Sequence, residues 1–310
     1  MDRSKKELRS ARWFAGEGMN GFIHRAWLNP VGFSREALDG RPVVGICNTW
    51  SELAGCNVHL RGLADAVKRG VLQAGGLPLE FPVTSLGENV MKPNAMMFRN
   101  LASMDVEESI RANPIDAVVL LASCDKTTPA VLMGAASADV PAILVTGGPQ
   151  ISGWHRGRAL GSGAEFDLGD SVRAGELDAA EFAELESGIC RSVGHCMDMG
   201  SASTIACCSE ALGITLPGCA TLPAVDSRRS VLAERSGRRA VELAWEGVRP
   251  SDILTRVAFE NALVVLQAIG GSTNAVLHLI AIAGRLGLGI ALGDVAAAAH
   301  VPLLVNVQPS

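Results

Sequence analysis

The amino-acid sequence predicts an α/β fold in which a parallel sheet is flanked by helices in three layers, with a helical second half. Short apolar runs alternate with helical periods between residues 42 and 146, the pattern of strands joined by right-handed helical crossovers. One run, residues 117–121, contains no polar residue, as expected of a parallel strand that is covered on both faces. After Gly148 this pattern stops and helical periods dominate.

Four strands and three helices are predicted in the first half of the chain. The strands are residues 42–47, 77–83, 117–121 and 142–146, and the helices are residues 58–72, 96–111 and 129–138. The first helix has apolar residues at positions 60, 63, 64, 67 and 71 and ends before Gly75 and Gly76. For the second helix, a break near Met104 and Asp105 is left open.

The second half is predicted to begin with an irregular, Gly-rich active-site loop over residues 151–176. Five helices follow, at residues 179–192, 201–212, 230–245, 250–269 and 273–286, and a last strand-like run covers residues 301–307. The most apolar stretch, residues 263–283, is interrupted at Gly270 and Gly271, which predicts two buried helices rather than a membrane span. We therefore predict an N-terminal arm over residues 1–40 and one α/β domain over residues 41–310.

Composition and charge narrow the range of partners. A formal net charge of −5 and a pI near 5.7 argue against nucleic acid or an anionic membrane surface as the main partner. The N-terminus is charged and lacks the apolar core of a secretory signal, so we expect a cytoplasmic protein. In a reducing compartment the eight cysteines are expected to be packing residues, metal ligands or reactive thiols rather than disulfides.

Chemically capable side chains follow three of the predicted strands. Cys56 comes after the first strand, Glu88 after the second, and Cys124, Asp125 and Lys126 directly after the third. Ligands of parallel sheets bind beyond the carboxyl ends of the strands, so these side chains are expected to converge at one edge. Each residue alone has an ordinary explanation as a packing, capping or solvated side chain. Thiolates select Fe–S, Cu(I) or Zn whereas carboxylates suit Mg²⁺, so their convergence indicates two different metals side by side.

A third thiol is needed to hold an iron–sulfur cluster and leave one iron open, since four cysteine ligands give electron-transfer clusters. The candidate is Cys196, which lies in a Gly-bounded turn ahead of a helix. Cys190, Cys207 and Cys208 lie inside apolar helical periods and are predicted to belong to the core, while Cys219 is undecided. Zinc held by the three candidate thiols and a histidine stays open, although the sequence has no CxxC pair.

Seven segments carry a resemblance to a known family. They are NTWSEL at 48–53, CN at 56–57, SLGE at 85–88, RNLASMDVEE at 99–108, CDKTTPA at 124–130, GHCM at 194–197 and GGSTNA at 270–275. Together they resemble the family of dihydroxy-acid dehydratase, phosphogluconate dehydratase and the pentonate dehydratases, over essentially the whole chain. The first and fourth segments are most similar to the sugar-acid branch, the arabinonate and xylonate dehydratases.

The resemblance implies roles for residues of these segments. The cysteines that match ligands of an iron–sulfur cluster, [2Fe-2S] as in the sugar-acid branch or alternatively [4Fe-4S], are Cys56, Cys124 and Cys196. The residues that match Mg²⁺ ligands, the last of them a lysine carboxylated on its amine, are Glu88, Asp125 and Lys126. Substrate contacts are predicted at Thr128, Ser272, Thr273 and Asn274.

The implied activity is that of a hydro-lyase. It would convert a 2,3-dihydroxy carboxylic acid, a sugar acid (aldonate), to a 2-keto-3-deoxy acid, with the cluster as Lewis acid and Mg²⁺ acidifying the α C–H. The expected partner is this small hydroxy acid, with neither nucleic acid nor membrane, and a homo-oligomer is expected.

One feature of the family has no counterpart in the sequence. Family members continue into a β-rich C-terminal domain that supplies a serine base and a further acidic Mg²⁺ ligand, whereas this sequence ends at Ser310. No serine in it matches the motif of that base, so no catalytic residue is predicted here. The alternatives are an inactive, truncated iron–sulfur-binding remnant or interaction module, and a zinc-stabilised structural domain.

Overall fold

A four-stranded parallel sheet forms the centre of the structure, a computed structural model that describes residues 8–161, 164–175 and 177–299. The strands are β1 (Val43–Asn48), β2 (Leu77–Pro82), β3 (Ala117–Ala122) and β4 (Ala142–Thr146), in the order β2-β1-β3-β4. Every residue of β1, β3 and β4 is buried. Both faces of these strands are therefore covered, and the predicted parallel α/β sheet is confirmed.

The direction in which the chain winds across the sheet reverses between β1 and β3. From β1 the chain passes outward to the edge strand β2, then crosses back to β3 on the other side of β1. At the carboxyl ends of the two central strands, Asn48 lies beside Leu121. Because ligands of open α/β sheets bind at such a reversal, the loops after β1 and β3 lie where a site is expected.

Helices cover the sheet on both sides. The described helices are α1 (Ala11–Phe14), α2 (Met19–Leu28), α3 (Leu60–Gln73), α4 (Arg99–Ala112), α5 (Thr127–Ala138), α6 (Ala164–Arg173), α7 (Ala179–Ile189), α8 (Ser201–Ala211), α9 (Ser227–Glu246), α10 (Pro250–Ile253), α11 (Arg256–Ala268), α12 (Thr273–Arg285) and α13 (Leu292–Ala298). None of the described helices is long and apolar enough to cross a membrane.

Successive residues of the strands belong to two different cores. Val119 of β3 packs with α3 and α9, whereas its neighbour Leu120 packs with α4, α5, α8, α11 and α12 on the other face. Side chains alternate across a strand, so a fully apolar strand supplies both cores at once. The predicted three-layer arrangement follows from this alternation.

The residues before β1 cover the sheet at the amino-terminal ends of β1 and β2. Phe14 and Leu38 pack against Val43 and Leu77, the first residues of β1 and β2. The buried carboxylate of Asp116 accepts hydrogen bonds from the backbone N–H of Ser10 (2.8 Å) and of Val43 (2.7 Å). The division of the chain at residue 40 stays a prediction.

Two predicted elements need correction, and the break left open near Met104 does not occur in the described helix. The segment predicted as an irregular loop contains a hairpin, β5 (Gly153–His155) with β6 (Arg158–Leu160), and helix α6. Helix α4 continues without a break through Met104, after a short 3₁₀ turn at Ala95–Phe98.

The helix predicted over residues 250–269 is two helices, because the Thr255 side chain caps a new helix by accepting from the N–H of Ala258 (3.3 Å). The predicted interruption at Gly270 and Gly271 is confirmed, since it separates α11 from α12. The strand predicted over residues 301–307 lies outside the described residues.

Candidate active site

A cavity of about 120 Å³ lies at the carboxyl ends of the central strands. Its lining residues are Cys56, Glu88, Asn89, Cys124, Asp125, His195, Cys196, Gly200, Ser201 and Ala202. All three candidate cluster cysteines and both candidate Mg²⁺ carboxylates therefore line the same space. They come from four separate segments of the chain, and the strand order of the sheet brings together the three segments that follow β1, β2 and β3.

The loops after β2 and β3 are joined by hydrogen bonds. The Thr127 hydroxyl, in the first turn of α5, donates to the carbonyl of Leu86 (2.9 Å) and accepts from its N–H (3.2 Å). Leu86 lies two residues before Glu88, and Thr127 lies two residues after Asp125. These bonds thus hold the two candidate Mg²⁺ carboxylates on neighbouring loops.

Cys196 reaches the cavity because its turn pairs with the segment after β4. The N–H of His195 donates to the carbonyl of Gly148 (3.0 Å), and the N–H of Gln150 donates to the carbonyl of His195 (2.8 Å). Gly194 has φ +118, and a Cβ there would lie 2.7 Å from the Gly148 oxygen. Only glycine fits this close backbone pairing without strain.

Lys126 occupies the space between the two carboxylates. Its Nζ lies 2.6 Å from Asp125 Oδ2 and 3.3 Å from Glu88 Oε1, and its side chain is 3% exposed. Burial alone would lower the pKa of Lys126, but hydrogen bonds to Asp125 and Glu88 and their charges outweigh it and raise this pKa. The other Glu88 oxygen, Oε2, is buried and has no hydrogen-bond partner among the described residues. The pair of carboxylates therefore already brackets one cation and has acceptor capacity left.

Two of the three cavity thiols are in direct contact. A hydrogen bond with Cys56 is the main reason that the pKa of Cys124 is raised well above its usual value, and burial and the charges of Cys56 and Asp125 add to this. The Cys124 Sγ also donates to Asp125 Oδ1 (3.6 Å). In the absence of metal this thiol is protonated at neutral pH, so a metal that binds it must displace the proton.

The donor set fits a cluster beside a hard cation by its chemistry. Three soft thiols and two carboxylates line the same cavity, and the Glu88 carboxylate has an unpartnered oxygen. Across the described residues, however, no three His, Cys, Asp or Glu side chains converge closely enough to hold a single metal ion. A cluster spreads its ligands over several metal atoms, so it does not require convergence on one point.

His195 is a cavity residue to which sequence reasoning assigned no role. Its Nδ1 lies 3.0 Å from the Cys196 carbonyl, which can only accept, so Nδ1 carries the proton. Its Nε2 is buried and has no partner among the described residues. Burial, with smaller contributions from Arg229 and His59, lowers the pKa of His195 to about 4 against the effect of that hydrogen bond. Its position directly before Cys196 was the only signal in the sequence.

The residues predicted to contact substrate lie at different depths. Ser272 Oγ is 2.9 Å from Ser201 Oγ, and Asn274 Nδ2 donates to the same hydroxyl (3.1 Å). Since Ser201 lines the cavity, these two side chains lie one residue behind its wall. Thr128 is fully buried in the first turn of α5, whereas Thr273 is exposed at the start of α12.

The remaining cysteines are packing residues with one exception. Cys47, Cys208 and Cys219 are buried and Cys207 is half-buried, and none of the eight cysteines, all within the described ranges, forms a disulfide. Cys190 is exposed, so its prediction as a core residue is wrong. Helix α7 ends at Ile189, and Cys190 therefore no longer follows the helical face.

Fold and site together define an α/β protein with a thiol- and carboxylate-lined site at the winding reversal of its sheet. The chain belongs to the dihydroxy-acid/6-phosphogluconate dehydratase family, whose N-terminal domain it matches over residues 41–310. The resemblance inferred from the sequence motifs is confirmed.

The relatives that the chain matches are dehydratases named for several different acids. The chain is 57% identical to the L-arabonate dehydratase of Azospirillum brasilense, over 100% of this chain and 54% of the relative. It is 41% identical to the D-xylonate dehydratase of Caulobacter vibrioides, over 100% of this chain and 53% of the relative. It is 38% identical to the dihydroxy-acid dehydratase of Pyrococcus abyssi, over 95% of this chain and 54% of the relative. The chain thus spans about half the length of the curated relatives it matches.

Proposed function

We propose that this chain is the cluster- and Mg²⁺-binding part of a hydro-lyase that removes water from a sugar acid, an aldonate, to give a 2-keto-3-deoxy acid. The observation that carries the proposal is the single cavity lined by three thiols and two carboxylates, with the buried Lys126 ammonium paired to both carboxylates. The relatives named for arabonate and xylonate support an aldonate as the substrate class. Their names describe those proteins, and the activity of this chain is our inference.

The three cavity thiols are assigned to an iron–sulfur cluster, [2Fe-2S] in our proposal. Its ligands would be Cys56, Cys124 and Cys196, which leaves one coordination position for substrate. When bound, such a cluster supplies a Lewis acid for the departing β-hydroxyl. The neutral His195 beside Cys196 keeps a bare Nε2 in the same cavity without adding charge.

The two cavity carboxylates are assigned to Mg²⁺, which would be held by Glu88, Asp125 and a Lys126 carboxylated on its amine. Mg²⁺ takes oxygen ligands and would orient the substrate carboxylate and its neighbouring hydroxyl. The Lys126 ammonium now occupies the place of a cation between the two carboxylates. Carboxylation turns this cation into an oxygen donor, which removes the repulsion that an ammonium would exert on Mg²⁺.

Proton abstraction from the α carbon needs a positioned base, a contribution of roughly 10²–10⁴-fold. We assign no described residue to this role. The resemblance to the family implies a serine from the half of the relatives that this chain does not span. A cluster-binding module without turnover is the second candidate function, because none of the described residues is assigned to the base.

The test combines metal analysis with a substrate panel. Protein reconstituted anaerobically with iron, sulfide and Mg²⁺ is expected to contain iron with acid-labile sulfide. It is expected to release 2-keto acid from arabonate or xylonate only slowly, because a missing base lowers the rate by roughly 10²–10⁴-fold. Cys56→Ser should abolish the visible charge-transfer absorption, and the matched Cys207→Ser, at a half-buried position of α8, should keep it.

Each of the other outcomes would favour one alternative over the proposed function. Zinc without sulfide would contradict the cluster and favour a zinc-stabilised domain. A cluster without turnover would favour the inactive module. Equal loss of the absorption in Cys56→Ser and Cys207→Ser would point to misfolding and remove the assignment of the ligands.

A further inference from the structure

We propose that Asn57 is the positioning residue that holds the Cys56 turn, the Glu88 loop and the Cys124 turn in one fixed arrangement. Asn57 is fully buried at the end of a 3₁₀ turn, directly after Cys56, and does not itself line the cavity. The meaning of this arrangement, a prearranged metal site, rests on the proposed function. The contacts that support it do not depend on that function.

The acceptor side of the Asn57 amide holds the turn after β3. Its Oδ1 accepts from the backbone N–H of Ser123 and from that of Cys124, both at 3.1 Å. These two N–H groups precede α5 and lie outside any helical or strand hydrogen-bond ladder. A buried N–H without a partner is costly, so the conformation of this turn depends on the amide oxygen.

The donor side of the same amide holds the loop after β2. Its Nδ2 donates to the Ser85 hydroxyl (2.8 Å) and, at a longer 3.4 Å, to the Thr127 hydroxyl. Ser85 lies three residues before Glu88, and Thr127 is the residue that is bonded to Leu86 on that loop. An asparagine amide has two donors and an oxygen with two lone pairs, so its whole capacity is used between these loops.

No other side chain would meet these four demands at the same size. Aspartate lacks the two donors, and a carboxylate would add a buried negative charge beside two thiols. Alanine would leave two buried N–H groups without acceptors. The consequence is that the contact between Cys56 and Cys124 should depend on Asn57 more strongly than the overall stability does.

The experiment is oxidative trapping of the Cys56–Cys124 pair in the full, metal-free chain. Diamide is the oxidant, and it takes up the two electrons and two protons that the thiols lose as the S–S bond forms. The rate of appearance of the Cys56–Cys124 disulfide peptide is followed by mass spectrometry and corrected for the folded fraction. Both thiols line the same small cavity, so this disulfide is expected to form in the parent, which supplies the reference rate.

Three variants give the readout. Asn57→Ala should slow trapping at least about fivefold, the factor that corresponds to one lost buried hydrogen bond. Ser85→Ala, which removes only the strongest donor contact, should give a smaller slowing and serves if Asn57→Ala does not fold. Asn48→Ala is the matched control, because Asn48 is also buried and bonded through both ends of its amide, to Glu80 (2.7 Å) and Trp50 (2.9 Å). In Asn48→Ala the Cys56–Cys124 disulfide should form at the parent rate.

Two results would overturn the inference. The first is an unchanged trapping rate in Asn57→Ala, or in Ser85→Ala if Asn57→Ala does not fold. The second is an equal slowing of trapping in Asn48→Ala. The second would show a general loss of structure instead of positioning. Since no iron or Mg²⁺ is present, the trapping result stands apart from the cluster and turnover measurements. The positioning role can therefore fail while the dehydratase proposal holds, and the reverse.

Discussion

The charge of Lys126 decides the electrostatics of the site. It is nearly fully buried, and it lies within hydrogen-bond distance of Asp125 and within 3.3 Å of Glu88. A buried ammonium that bridges two carboxylates compensates their charge, and removal of either partner would leave a buried charge unpaired. The same three side chains can bind Mg²⁺ only if the lysine stops being a cation.

Replacement of Lys126 distinguishes its two chemical forms. If the lysine is carboxylated in the Mg²⁺ complex, Lys126→Ala loses a ligand and should bind Mg²⁺ at least about tenfold more weakly, a loss that bicarbonate does not restore. If it stays an ammonium, Lys126→Ala removes a repelling charge and should bind Mg²⁺ more tightly. Isothermal titration with Mg²⁺ measures the difference. Lys68→Ala is the control, because Lys68 also pairs with two carboxylates, Glu80 and Asp65, but away from the cavity.

At the scale of residues, the sequence predicted the ligand candidates of the site better than the residues whose roles depend on hydrogen bonds around it. Cys56, Glu88 and Cys124 could be placed at one sheet edge because the carboxyl ends of parallel strands meet there, whatever the details of the loops. The roles of Asn57 and His195 depend on hydrogen bonds between segments far apart in sequence, such as Asn57 to Cys124. No local pattern reports such bonds, so these residues could not be singled out.

At the scale of elements, periodicity predicted the strands and most helices but not the segment after β4. The hairpin Gly153–His155 with Arg158–Leu160 consists of three-residue strands, too short for an alternation to be recognised. The break at Thr255 depends on a side-chain cap inside an apolar run, which the helical period alone does not show.

Gly194 is the element-scale feature most open to test, since it lets the Cys196 turn pair with the segment after β4. Gly194→Ala should lower the free energy of unfolding by about 1–3 kcal/mol, because alanine at φ +118 is strained, and the contact with the Gly148 oxygen adds to this. It should also make Cys196 react faster with a thiol reagent, since the turn loses its pairing with the segment after β4. Urea denaturation and peptide mapping measure the two effects.

Gly62→Ala is the control for this substitution. A Cβ at Gly62 in α3 meets nothing within 4 Å, and alanine is favoured over glycine in a helix by about 0.5–1 kcal/mol. Stability should therefore stay unchanged or rise. A Gly194→Ala protein as stable as the parent, with unchanged Cys196 reactivity, would contradict the pairing described here.

At the scale of the whole molecule, uncharged imidazoles inside the core connect stability to pH. His278 on α12 is fully buried and accepts a hydrogen bond at Nδ1 from Arg99 of α4 (2.8 Å). Burial first, then the charges of Arg99 and Lys126, lower the pKa of His278 to about 3. The packing of α12 onto α4 and α5 thus depends on this imidazole staying neutral.

The resulting pH dependence has a definite sign. An unfolded histidine has a pKa near 6.5, so between about 6.5 and about 3 the unfolded chain binds one proton more than the folded chain at this position. The stabilisation is complete above pH 6.5 and is lost as the pH falls through this window, by at most about 1.4 kcal/mol per pH unit. From pH 6.5 to 5 the metal-free protein should therefore lose about 1–2 kcal/mol through His278 alone, measured as the shift of the urea midpoint.

His278→Asn keeps an acceptor for Arg99 but cannot titrate, so its stability should fall less steeply over this range, even if packing losses lower it overall. His24→Asn on α2, away from the sheet core, should keep the parent slope. Equal slopes in His278→Asn and the parent would show that His278 does not carry the acid sensitivity of the fold.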